Sequence, residues 1–181
     1  MDRTETPALY ATPDPGALPA DRSGWVVEPA RAALLVLNPP VLYTLAGADG
    51  RAVGPGTPFG HPVLLRDGDA REVAEEIRPQ VGHGLLTDKR FSASAGTRLR
   101  QRLAEPGWDR PVITRVFART QKLLTAADAA MQDMEPFVVA DAVADRAPDQ
   151  HRMAVEWIAA TCGAVRGVTG VADVFGGPPA P

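Results

Sequence analysis

Apolar residues along this chain gather into short runs, each closed by a turn or a polar cluster. Ala32-Ala-Leu-Leu-Val-Leu37 is continuous and stops at Asn38-Pro39-Pro40. A strand apolar on both faces is a buried, parallel strand. Asn38 then falls at its carboxyl end, the edge where open α/β sheets bind ligands. The stretch from Val112 to Ala129 opens as an apolar run and turns into an Ala- and Leu-rich helix, through a turn reading Ala118-Arg119-Thr120-Gln121. That turn holds no Cys, Ser or His. Glu135 to Ala144 is another buried strand, entered through Pro136, with Asp141 and Asp145 at its end as capping and loop residues.

Helical periods fill the intervals. Ala70 to Ile77 carries Val73, Ala74 and Ile77 on one face, with Asp67 or Asp69 as N-cap. Gly84 to Thr87 is a short strand ending at Asp88-Lys89-Arg90. Thr97 caps a helix running through Leu103, in which Leu99 and Leu103 stand at i, i+4 and arginines take the other face. Ala147-Pro148 opens a helix with proline in its first turn. There Met153, Ala154, Trp157, Ile158 and Cys162 recur at helical spacing, and His151 reads as a surface or first-turn residue. Val165 to Val174 supplies a last short strand and a turn. Strands alternating with helices predict an α/β fold with a mainly parallel sheet and helices on both faces.

Pro and Gly, 18 and 17 residues, concentrate where these periods are missing. Residues 1–24 hold four prolines and read as an extended N-terminal arm anchored by Leu9, Tyr10 and Trp25, lying on the domain or on a partner subunit. Residues 25–175 form the domain, with a Gly/Pro-rich insert loop at 43–62, and 176–181 form a tail. The insert lacks the Gly-Lys-Ser/Thr of a phosphate-binding loop. A net charge of −3 and the lack of any basic run argue against nucleic acid or an anionic membrane as partner. One cysteine excludes an intrachain disulfide and a cysteine-built zinc site, and three scattered histidines show no metal-ligand spacing. No metal or cofactor is expected. With no apolar run of about 18 residues and no signal-peptide pattern, the expected location is cytoplasmic.

Several pieces together resemble the isochorismatase-like hydrolases, most closely the phenazine-pathway and siderophore isochorismatases. They are Leu18-Pro19-Ala20 with Trp25, Glu28-Pro-Ala-Arg-Ala32, Ala70-Arg-Glu-Val-Ala-Glu-Glu76, and Leu86-Thr87 with Arg90-Phe-Ser-Ala93. Val116-Phe-Ala118, Thr125-Ala-Ala-Asp-Ala129, Pro136 to Asp145 and His151 to Glu156 complete the set. The resemblance implies a three-layer, Rossmann-type sandwich and a homodimer. It also implies catalysis by an acid at the end of the first strand and a lysine just after the Leu-Thr strand end. Most members add a cysteine nucleophile in the turn before the Thr-Ala-x-Asp-Ala helix. The isochorismatases proper lack it and use the acid to protonate a vinyl ether.

This chain departs at all three positions. Asn38 replaces the acid, Asp88 the lysine, and Gln121 the nucleophile; Pro40 stands where a glutamine usually follows. Asn38 neither donates a proton as an acid nor accepts one near neutral pH, and Gln121 cannot form a thioester. Lys89 restores a lysine only through a register slip, which would turn it to the opposite face. The interval from Asn38 to Asp88 is too short for the family's further helix and strand, so about one βα unit is missing. Two readings remain open. In the first, the active site is repurposed: Asp88, Asn38 and Gln121 occupy the altered catalytic positions, with Asp88 as the acid/base group, and the site does non-covalent acid/base chemistry on a small organic substrate, a carboxylate or an aromatic. Lys89, Arg90, Phe91, Phe117 and Arg119 then bind it. In the second, the chain is an inactive binding or structural relative, in which Asp88 and Arg119 merely pair.

Overall fold

A computed structural model describes residues 10–11, 13–36, 86 and 90–175. Expectations for Asn38, Asp88, Lys89, the helix at 70–77, the strand at 84–87 and the insert loop lie outside these residues. Four parallel strands form one sheet: β1 (Ala32–Val36), β2 (Arg110–Val116), β3 (Phe137–Ala144) and β4 (Ala164–Arg166), in the order β1-β2-β3-β4. The helices are α1 (Leu99–Ala104), α2 (Leu123–Ala130), α3 (Pro148–Thr161) and α4 (Val168–Val174). A single π-turn, Ala118–Lys122, joins β2 to α2.

Strand alternation sorts the side chains between two cores. Ile113, Val138, Ala140 and Val165 face α1, α2 and α3, where they meet Leu99, Ala126 and Ile158. Val112, Phe137, Val139 and Ala164 face the other way, under Trp25, Val27 and Val171 of α4. The helices of successive β-α-β units lie on the same side, as right-handed crossovers require. Helices thus cover both faces of a parallel sheet, the α/β arrangement expected.

Four local expectations need correction. The first strand is not buried on both faces: Leu34 is 62% exposed and Val36 is exposed too, both on the Trp25 side, which among the described residues is covered by a short segment and α4. In α3, Ala154 and Ile158 are buried, but Met153 and Trp157 face outward. A stripe of five apolar positions is wider than the contact the sheet offers. Residues 168–174 form a helix rather than a turn. The Val168 N–H that opens it donates to Asp141 Oδ1 at 2.8 Å, so a carboxylate from β3 caps a segment whose own sequence has no cap residue. His151, in the first turn of α3, is buried rather than on the surface. The Thr97 hydroxyl accepts the Leu99 N–H at the start of α1, and Leu99 and Leu103 are buried, as the i, i+4 pairing predicts.

The strands part at their carboxyl ends. Ile113 pairs with Val138, but the next pair is Arg115 with Val143. Four residues on β3, Val139 to Ala142, therefore oppose one on β2, Thr114, and β3 bulges there. Bulges of this kind free backbone groups that other side chains must satisfy.

Candidate active site

The turn after β2 is built from both sides. Phe117 O accepts from the N–H groups of Gln121 (3.1 Å) and Lys122 (3.2 Å), the second bond closing the wide π-turn. Such single π-turns are frequent at functional sites. No side chain within the turn caps it. The cap comes from β3 instead, where Asp145 Oδ2 accepts the Arg119 N–H at 2.6 Å and Oδ1 accepts the Arg146 N–H at 2.8 Å. Asp145 is buried, and both its oxygens are engaged in positioning backbone.

The turn directs Gln121 and Lys122 inward together. Lys122 has 0% exposure, and its Nζ donates to Gln121 Oε1 at 3.0 Å. A buried amine thus sits against Gln121. Arg119 is exposed, and Phe117 is partly buried, with the Arg146 guanidinium 5.4 Å from its ring centroid. Phe91 is partly buried and Arg90 exposed. The segment behind them is fastened to α2. Ser92 Oγ donates to Asp128 Oδ2 at 2.6 Å, and the Ala93 N–H donates to Thr125 Oγ1 at 3.0 Å. The Arg-Phe-Ser-Ala and Thr-Ala-Ala-Asp-Ala motifs are therefore two halves of one contact. It brings the chain following Asp88 to the helix that starts at the altered turn.

Two further ionisable groups bear on the chemistry. His151 Nε2 lies 2.9 Å from Ala140 O, inside the bulge of β3, and Nδ1 lies 3.0 Å from Tyr10 Oη. Burial holds the imidazole below its ordinary pKa, outweighing the opposing effects of Ala140 O and the Asp145 charge. Cys162, partly buried at the end of α3, has its thiol pushed up to about 11 by burial, so it is a core thiol and a poor nucleophile. Among the described residues, no cluster of His, Cys, Asp or Glu is suited to a metal, and no helix is long and apolar enough to cross a membrane.

Of the residues named from sequence, the described ones that gather at the carboxyl edge are Phe117, Arg119 and Gln121. Lys122 and Arg146 were missed. The signal for Lys122 was present: it stands at i relative to Ala126 (i+4) and Ala129 (i+7), both buried, so helical spacing puts it on the inner stripe. Arg146 had no such signal, because its neighbour Phe117 lies in the turn after another strand, 29 positions away along the chain.

Comparison with known proteins agrees with this geometry. The Isochorismatase domain matches residues 28–169, which spans all four strands. Phenazine biosynthesis protein PhzD of Pseudomonas fluorescens is 32% identical over 190 residues, covering 86% of this chain and 92% of that protein. Enterobactin synthase component B of Escherichia coli K12 is 30% identical over 199 residues, covering 86% of this chain and 67% of the other. Among solved structures, a cysteine hydrolase from Pseudomonas syringae pv. phaseolicola superposes with a TM-score of 0.68 at 18% identity, over 88% of this chain and 98% of that one, a likeness of fold. The order of the motifs, the parallel sheet and the domain match agree: this chain belongs to the isochorismatase family.

Proposed function

We propose that this protein acts on a small organic molecule of specialised metabolism by non-covalent acid/base chemistry at the carboxyl edge of the sheet. The carrying observation is the buried Lys122 amine bonded to Gln121 Oε1 at 3.0 Å in the turn before the Thr-Ala-x-Asp-Ala helix. Burying a cation costs several kcal/mol. A turn that only needed filling would be better served by Leu or Met. Buried ionisable groups at a sheet's ligand edge mark functional sites. Covalent attack from Gln121 is excluded by the chemistry of an amide. Lys122 supplies a cation from α2's side of the crevice, where the family's own lysine position holds Asp88. Phe117, with the guanidinium of Arg146 over it, suits a flat ligand bearing negative charge. Similarity to a phenazine biosynthesis protein and to an enterobactin synthase component favours specialised metabolism. The same family ground supports a cytoplasmic homodimer, and a pocket wall altered by the loss of about one βα unit between Asn38 and Asp88.

A second reading, an inactive relative that binds or scaffolds, draws on the same turn: Gln121 is itself buried with its amide oxygen engaged. One experiment separates the two. Purified protein is assayed for isochorismate hydrolysis, then screened by thermal shift against small aromatic and aliphatic carboxylates, with every hit tested for turnover. We expect isochorismate hydrolysis at background. We also expect at least one hit that is turned over, and activity lost in Lys122→Met and in Asp88→Asn. Isochorismate hydrolysis well above background overturns the repurposed-site reading. Hits that raise Tm but are never consumed select the inactive relative.

A further inference from the structure

The N-terminal segment runs beside α3. Tyr10 meets its first turn at His151, the Arg22 N–H reaches Ala159 O near its last turn at 3.4 Å, and Asp21 pairs with Arg166 on β4. Leu18 packs into the helical-side core between these ties. The Tyr10 contact differs from the others because it continues into the turn that carries Gln121 and Lys122.

The direction of each bond follows from what each group can do. Ala140 O only accepts, so His151 carries its proton on Nε2 and donates at 2.9 Å. Nδ1 of the neutral ring is then an acceptor, and the Tyr10 hydroxyl donates to it at 3.0 Å. With its proton committed, Tyr10 Oη accepts the Asp145 N–H at 2.7 Å. Asp145 Oδ2 accepts the Arg119 N–H at 2.6 Å. The run is continuous from the bulge of β3, through the arm, to the first N–H groups of the π-turn. Every donor has one acceptor. The turn has no side-chain cap of its own, so its start depends on where Asp145 points. Asp145 stands where β3 ends, and its backbone N–H is held by Tyr10 rather than by the sheet.

We propose that Tyr10 is a positioning residue: by fixing the backbone of Asp145 it sets the turn Ala118–Lys122, so that docking of the N-terminal arm and the placement of Gln121 and Lys122 are coupled. The arm is then part of the site's machinery. The inference goes beyond the reading of the site as an enzyme, because it holds equally if the site only binds.

Residue-resolved amide exchange on the full chain tests it. Tyr10→Phe removes one hydroxyl and keeps the ring. Loss of a single hydrogen bond corresponds to about a tenfold change in local opening. We expect the Asp145 amide to exchange about tenfold faster, and the Arg119 and Gln121 amides at least about threefold faster, with α1 and β4 unchanged. Val171→Ala, which loosens the opposite face, serves as a control and should leave the turn's protection in place. In Asp145→Asn the turn should already be loosened, so that adding Tyr10→Phe accelerates Arg119 no further. Acceleration at Asp145 alone overturns the proposal, because the arm is then only tacked on. Equal acceleration at every amide, or full additivity in the double variant, overturns it as well.

Discussion

Lys122 and His151 are both buried polar residues on helical segments, and His151 is satisfied by neighbours its own sequence context does not contain. Lys122 is held by Gln121. His151 fills the gap opened by the bulge, donating to Ala140 O while Nδ1 accepts from the arm. Because burial lowers the imidazole pKa in the folded state, folding favours the neutral ring. The sign follows from linkage. At pH above the unfolded value of about 6.5, both states are neutral at this ring and its contribution is fully present. As pH falls through about 6.5, the unfolded chain takes a proton that the folded chain resists. Stability is then lost, by up to about 1.4 kcal/mol per pH unit, until the folded pKa is reached. Urea denaturation between pH 7.5 and 5 should show this slope in the native chain and a flatter one in His151→Gln. Equal slopes would mean that the ring is not a significant source of the dependence. Asp21 and Asp109 respond at lower pH. Burial opposes ionisation of Asp21, but the hydrogen bonds from Ser23 and Arg166 and the charge of Arg166 outweigh it, and its pKa is lowered. Asp109 is lowered chiefly by its hydrogen bond from Arg31. Both contributions are present above the ordinary carboxylate range and fade as acid protonates these groups.

Among the elements, those with strong local signals were readable from sequence. The run Pro136 to Ala144 became β3, Pro148 opened α3, and Leu99 with Leu103 became the buried face of α1. Elements that depend on a distant cap were not. Helix α4 begins at Gly167 and Val168, with no cap residue in the sequence, because Asp141 of β3 takes that role. The π-turn has the same cause, its cap being Asp145. The close of α3 is a packing constraint that residue type does reveal afterwards. A Cβ on Gly163 would stand 2.8 Å from Ile158 Cγ2 and 3.1 Å from Pro136 O. Backbone and a fully buried side chain cannot both yield. Gly163→Ala should therefore destabilise by roughly 2 kcal/mol, read as a lower urea midpoint at an unchanged m-value. A neutral result would show that β4 shifts freely relative to α3.

On the scale of the whole molecule, the two ends of the sheet do different work. The amino end is tied by charge. Arg110 is buried and pairs with Glu135 Oε2 and Glu28 Oε1, each at 2.7 Å, and Arg31 pairs with Asp109. These residues precede or open β1, β2 and β3, so the network fixes how the three strands start. Arg110→Ala should cost about 3 kcal/mol, since it strands carboxylates beside a closed core. The double change Arg110→Met with Glu135→Leu should cost clearly less, and a double variant as unstable as the single one would contradict this account of the network. The carboxyl end is interrupted by the bulge, and there the π-turn and the arm meet through Asp145 and Tyr10. The sequence by itself determined the fold class and the family, because each is carried by residue type and by spacing along the chain. Only the tertiary structure decided that Lys122 lies buried against Gln121, that Asp145 caps the turn and that Tyr10 holds Asp145. The last two are contacts between residues 26 and 135 positions apart, and no local periodicity encodes which distant partner a polar group will find.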